Sequence, residues 1–204
     1  MNNIQTHNVQ ARTFAIFAAL AAAMAATRFN HFGSAVSLPD ASYAVFFLGG
    51  LYLVRSIRAS AAAFVMLLLE AGWIDYYATS VQGISDWCMT PAYWFLIPTY
   101  ASLWLSGSWF ARRHVTNGHA MEGRGFAALA VASWAASSFA FAFSNAAFYL
   151  FSERFTDMSA AEYISRVAQY YVSYVSVAML YIACAVALHM AAGIVGGRMA
   201  QHAD

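Results

Sequence analysis

The sequence predicts an all-α polytopic membrane protein, a six-transmembrane-helix bundle with N and C termini cytoplasmic. Three observations carry that expectation. The 204 residues are 62% hydrophobic and only 9% charged, against about 25% charged in a typical soluble domain. Apolar stretches occupy 13–27, 36–54, 60–74, 91–110, 125–151 and 170–195, each near the ~20 residues that cross a bilayer as one helix. The ten basic residues, all arginine, are unevenly shared between the two ends of those stretches, which selects an orientation.

The first stretch follows Arg12 and ends in alanines, a pattern that resembles a secretory signal, but it is long enough to read as a first membrane helix. Ala15, Ala18, Ala19, Ala22, Ala23 and Ala26 recur at three- and four-residue spacing on it. Such a smooth face lets helix backbones approach closely in lipid. It serves either packing inside the bundle or docking of another membrane subunit. The second and third stretches are joined by a tight turn from Arg55 to Arg58. The fourth opens at Thr90-Pro91, with threonine suited to the N-cap and proline to the first helical position. The fifth and sixth are long and continuous. An even count places both termini on one side. Arg12, Arg55, Arg58, Arg112, Arg113, Arg124 and Arg198 fall on that side, and Arg28, Arg154 and Arg166 on the other. The arginine-rich face is therefore expected to be cytoplasmic. Most acids lie opposite, at Asp40, Asp75, Asp86, Glu153, Asp157 and Glu162. With no internal repeat or linker, the chain reads as a single domain over 1–204.

Net charge is only +1, which argues against nucleic acid as a partner, because there is no basic patch of the size that neutralises a nucleic-acid backbone. No GxxxxGK[ST] run is present, so the chain has no ATP site of that kind. Cys88 and Cys184 are the only cysteines, giving neither a disulfide framework nor a CxxC pair. Cys184 lies well down the last helix, too deep to reach Cys88.

The chemistry collects at 72–100, expected at the external surface. Cys88 stands just ahead of a helix N-terminus, whose partial positive charge favours thiolate. Nearby Asp86 and apolar surroundings oppose it, so a strongly acidic free thiol is not expected. One cysteine cannot build a tetrahedral zinc site. It can serve as the axial ligand to a metal already held in a macrocycle, or simply as a small apolar residue. Asp75, near the end of the third stretch, is expected either as a solvated loop acid or as an acceptor for ligand amides, with Glu70 structural. Arg166 follows Glu162 by four residues and reads either as a surface ion pair or as a donor to ligand carbonyls or phosphate. Trp73, Tyr76, Tyr77, Trp87, Tyr93 and Trp94 crowd the same level, as an interfacial belt does. Tyr93 lies about one and a half turns past Cys88.

On Gly72-Trp73-Ile74-Asp75, Cys88-Met89-Thr90-Pro91-Ala92-Tyr93 and Arg166, the chain resembles the BtuM family of cobalamin transporters, which are similar to S-components of energy-coupling-factor (ECF) transporters. The resemblance extends over the whole chain in length, helix number and orientation. It implies an S-component-like fold in a bacterial inner membrane and uptake of cobalamin from the extracytoplasmic face. It places the cobalt ligand on Cys88 and the corrin-pocket residues on Asp75, Tyr93, Arg166 and His31, the last near the end of the first helix. A thiolate on cobalt implies base-off binding, and a further expectation is reductive decyanation of cyanocobalamin assisted by Cys88. The resemblance also implies that the alanine face of the first helix docks an ECF coupling module, whose ATPases would supply the energy.

Two other classes remain to be distinguished. An intramembrane enzyme of rhomboid-like type would use Ser106 and His189, although no GxSG run accompanies them. A structural membrane protein without a ligand would leave Cys88 incidental.

Overall fold

A chain buried in lipid must satisfy its backbone polar groups internally, and a helix does so within one segment. The computed structural model, which describes residues 3–31, 38–54, 56–83, 86–87, 89–115 and 123–201, has six α-helices and no strand among them. They are α1 (Asn3–His31), α2 (Ser42–Tyr52), α3 (Ile57–Ser80), α4 (Leu96–Phe110), α5 (Gly123–Phe151) and α6 (Ala160–Gln201). A 3₁₀ turn, Pro91–Phe95, leads into α4, and a π-helical turn, Ala111–Val115, follows it.

Among the described residues, four helices are long and apolar enough to cross a membrane, with spans Val9–Phe29, Ile57–Ser80, Arg124–Phe151 and Ala160–Ala192. Helix α2 is different. Its 11 residues rise only about 16 Å at ~1.5 Å each, well short of a ~30 Å hydrocarbon layer. Nine of those residues are buried, as expected of a helix that is apolar on all sides. It is the centre of the bundle, and α1, α3, α4 and α6 all pack on it.

The most extensive of these packings is α2 on α4, and its basis is the absence of side chains. A Cβ on Gly50 would collide with the Trp104 backbone, one on Gly107 with the Phe47 carbonyl, and one on Gly49 with the Trp104 ring. The two backbones therefore touch, and Ser108 Oγ donates to the Gly50 carbonyl at 3.2 Å. Beside this contact Phe46 stacks on Tyr100, with ring centroids 4.2 Å apart. Trp104 Nε1 donates to Ser60 Oγ at 3.0 Å and ties in α3.

Several helix boundaries differ from the expected ones. Helix α3 continues past 74 to Ser80, so Asp75 lies within a helix and not at its end. The extension is possible because Asp75 finds a buried partner, described below. Helix α6 begins at Ala160, so Glu162 and Arg166 sit in its first turns instead of ahead of it. His31 is the last residue of α1; its side chain lies outside the described residues. Thr90 does occupy the N-cap position, but its hydroxyl makes no capping bond. The turn is closed by the backbone instead, Tyr93 N–H donating to the Thr90 carbonyl at 2.9 Å. Arg55 lies outside the described residues. On the other side of that turn, Ser56 Oγ caps α3 by accepting from Ala59 N–H at 3.2 Å. Glu70 is half-buried on α3 and makes no hydrogen bond or ion pair among the described residues.

On α1, Ala15, Ala18, Ala19, Ala22 and Ala26 are exposed and Ala23 is half-buried. The bundle is packed instead by the opposite side of α1, through Leu20, Met24, Thr27 and Arg28. Of the small-residue face, Ala23 packs against the core, and Ala15, Ala18, Ala19 and Ala22 are exposed.

Overpacking usually costs about 1–3 kcal/mol, and a clash with backbone cannot be relieved by a rotamer change. Gly50→Ala and Gly107→Ala are each expected to cost about 3 kcal/mol, read as a fall in the thermal midpoint in detergent. Gly83→Ala is the contrast: its φ is +67° with open space around it, so only a small backbone penalty of about 1 kcal/mol is expected.

Candidate functional site

Arg28 is the polar centre of the bundle. It lies in the last turns of α1, 7% exposed, and a guanidinium so placed needs every donor answered. Its Nε donates to Asp75 Oδ1 at 2.6 Å and its Nη2 to Asp75 Oδ2 at 2.5 Å, a planar two-point match of fork to carboxylate. Nη1 donates to Ser42 Oγ at 2.8 Å and to Tyr100 Oη at 3.1 Å. Asp40 stands next to it, with Oδ2 3.5 Å from Nη1. Asp40 Oδ1 accepts from the Ser42 N–H at 2.9 Å and from Ser42 Oγ at 2.7 Å, which caps the start of α2. Opposite Arg28, Tyr93 Oη donates to Asp75 Oδ2 at 2.7 Å.

This cluster joins α1, α2, α3, the 3₁₀ turn and α4 at one end of the bundle. The bond from Tyr93 to Asp75 spans 18 residues of sequence, and the segment it closes includes Cys88. Cys88 itself lies outside the described residues. Its flanks are held: Met89 N–H donates to the Asp86 carbonyl at 2.8 Å, and Arg154 lies over the Trp87 ring at 4.7 Å from its centroid. Cation–π contact of this kind is worth about 0.5–1 kcal/mol at exposed sites. At the same end, Phe95 stacks on Phe151 at 4.5 Å, and Tyr163 donates to Asn145 at 3.4 Å, so α5 and α6 are brought alongside.

Beside the cluster, a groove of about 540 Å³ runs between α3 and α4. Gly72, Trp73 and Tyr76 line one wall, and Tyr93, Trp94 and Tyr100 the other. Gly72 keeps the first wall low opposite the Tyr93 hydroxyl, which is 4.0 Å from where a Cβ would stand.

Of the sequence-derived candidates, Asp75 and Tyr93 are therefore brought into direct contact. Asp75 is 5% exposed, and both of its carboxylate oxygens are engaged by Arg28. In this arrangement it faces protein partners, not open solvent. Arg166 is not part of the cluster. It pairs with Glu162 at 2.7 Å, the two side chains being 62% and 49% exposed, the bland reading of that spacing. Arg28 and Asp40 complete the constellation. The signal that could have found Arg28 is an arginine set into an otherwise alanine-rich apolar helix, since such a charge inside a membrane protein requires a partner.

The two residues of the rhomboid-like alternative are not brought together. Ser106 Oγ donates to the Ser102 carbonyl at 2.7 Å, while His189 stacks on Tyr52 at 5.4 Å. Among the described residues no group of three or more His, Cys, Asp or Glu side chains is placed to hold a metal ion. No protein-family model matches the chain, and a search of curated proteins returns no match.

Removing one partner of a buried ion pair strands the other charge, at about 3–5 kcal/mol. Arg28→Ala and Asp75→Asn are each expected to cost that much in unfolding experiments in detergent. The paired replacement Arg28→Met with Asp75→Leu is expected to recover at least half of the loss, because no uncompensated charge is left between those two positions.

Proposed function

We propose that this chain binds cobalamin at the end of the bundle where Arg28, Asp75 and Tyr93 meet, and mediates its uptake across a bacterial inner membrane. The observation that carries this reading is the Tyr93–Asp75 hydrogen bond, 2.7 Å long, which closes the segment bearing Cys88 beside an aromatic-lined groove. In the proposal the Cys88 thiolate is the axial ligand to cobalt. It takes the place of the vitamin's own base, and metal binding drives its deprotonation. Tyr93 lies against the corrin, and Asp75, fixed by Arg28, holds the phenol in position. Arg166 and His31 act as further contacts; for Arg166 that requires exchange of its exposed partner Glu162, a change of low cost.

In this reading the chain makes six passes, two of them supplied by the 91–115 run and by α2 together with its non-helical flanks at 38–41 and 53–54, with N and C termini cytoplasmic. The ligand end then faces away from the cytoplasm. The exposed alanine face of α1 is where an ECF coupling module, with its transmembrane subunit and ATPases, would dock. In the presence of a thiol reductant, Cys88 assists removal of cyanide from cyanocobalamin.

Isothermal titration of the purified chain with cobalamin tests the reading. Cys88→Ser is expected to weaken binding at least ~10-fold, about 1.4 kcal/mol, and Cys88→Ala to abolish the base-off and decyanated bands in the spectrum of bound cyanocobalamin. Unchanged bands in Cys88→Ala would remove cysteine from the mechanism. Tyr93→Phe deletes one hydrogen bond to a carboxylate, about 1.5–3 kcal/mol, and is expected to weaken binding while leaving those bands in place. A chain that shows no heat and stays colourless with cobalamin would favour the structural reading.

A further inference from the structure

A second groove lies on the other side of α4, against α5, at the end of the bundle away from Arg28, and its volume is about 690 Å³. Its floor is made by small residues of α5, among them Ala128, Ala132 and Ala135. Trp109 of α4 and Phe139 of α5 stand as walls. From residue 128 to residue 139 a helix rises about 16 Å at ~1.5 Å per residue, close to half of a ~30 Å hydrocarbon layer. The groove is thus the length of one leaflet and open to the side.

One end of it is cationic. The π-helical turn Ala111–Val115 carries Arg112, Arg113 and His114 in succession. His114 lines the groove and is stacked on Phe110 at 4.6 Å. The Arg113 guanidinium lies over the ring of the wall residue Trp109, 5.5 Å from its centroid, and Arg112 beside it is exposed. The groove between α3 and α4 has no basic residue in its lining. Of these two grooves, the one between α4 and α5 therefore joins an apolar lining to positive charge at its mouth.

We propose that the α4–α5 groove is a binding site for an anionic phospholipid, with one acyl chain along Ala128, Ala132 and Ala135 and the phosphate against Arg112, Arg113 and His114. Basic groups between transmembrane helices at the membrane surface select anionic head groups in this way, and arginine matches phosphate at two points. The occupant is a lipid and not a protein helix because the groove runs only about half the thickness of a ~30 Å hydrocarbon layer and ends at a charged rim. The site is independent of the cobalamin reading.

Native mass spectrometry of the full chain in detergent, titrated with dioleoylphosphatidylglycerol or dioleoylphosphatidylcholine, tests it. The wild type is expected to retain one phosphatidylglycerol with roughly fivefold or greater preference over phosphatidylcholine. The double variant Arg112→Gln, Arg113→Gln is expected to lose that preference. Ala135→Phe, at an exposed position that tolerates bulk, is expected to reduce retention of both lipids by filling the channel. Equal retention of the two lipids by the wild type overturns the proposal, as does retention of neither, which would leave the groove to a protein segment. A preference that survives both variants places the lipid elsewhere and overturns it too.

Discussion

The ion pair of Arg28 with Asp75 is the constraint from which the rest of the arrangement follows. A guanidinium and a carboxylate taken out of water lose several kcal/mol of hydration each, and only close two-point pairing with further hydrogen bonds restores the balance. Every surrounding group is placed accordingly. Ser42 and Asp40 both answer Nη1 and start α2. Tyr100 answers it from α4, and Tyr93 spends its phenol on Asp75. Replacing both partners of such a pair by apolar residues is often neutral, whereas losing one of them is costly. An α1 rotated by one residue would leave Arg28 pointing at lipid or apolar side chains.

Helix α4 divides two environments that share one building principle. On its α3 side the groove is walled by aromatic rings and abuts the Tyr93 hydroxyl. On its α5 side the floor is alanine and the rim is arginine and histidine. Small residues open both spaces, Gly72 in the first and the alanines of α5 in the second. What distinguishes them is the charge at the mouth, which is a property of the turn following α4 and not of the helices themselves.

Much of the helical content was legible from composition and hydropathy, because in lipid an apolar run of sufficient length has few other conformations open to it. The ends of the helices were less so. The boundary expected after residue 74 assumed that Asp75 would seek water; it instead meets Arg28, which is distant in sequence. The apolar stretch starting at 170 left Glu162 and Arg166 ahead of the last helix, although their spacing also offered the exposed (i, i+4) pair that the structure has. At the candidate site, the motif residues Asp75 and Tyr93 were found, but Arg28 and Asp40 were not, since no local pattern links them. The glycine contacts of α2 and α4 were also invisible, because closeness between Gly107 and Phe47 depends on how two helices cross.

The contacts at Gly50 and Gly107 also have a mechanical meaning. Two helices whose main chains meet in this way cannot slide past one another without first separating, since the carbonyl of Phe47 is seated over Gly107. Helices α2 and α4 therefore form a single stiff keel. Any excursion that opens a passage through the molecule has to come from the surrounding helices swinging about that keel.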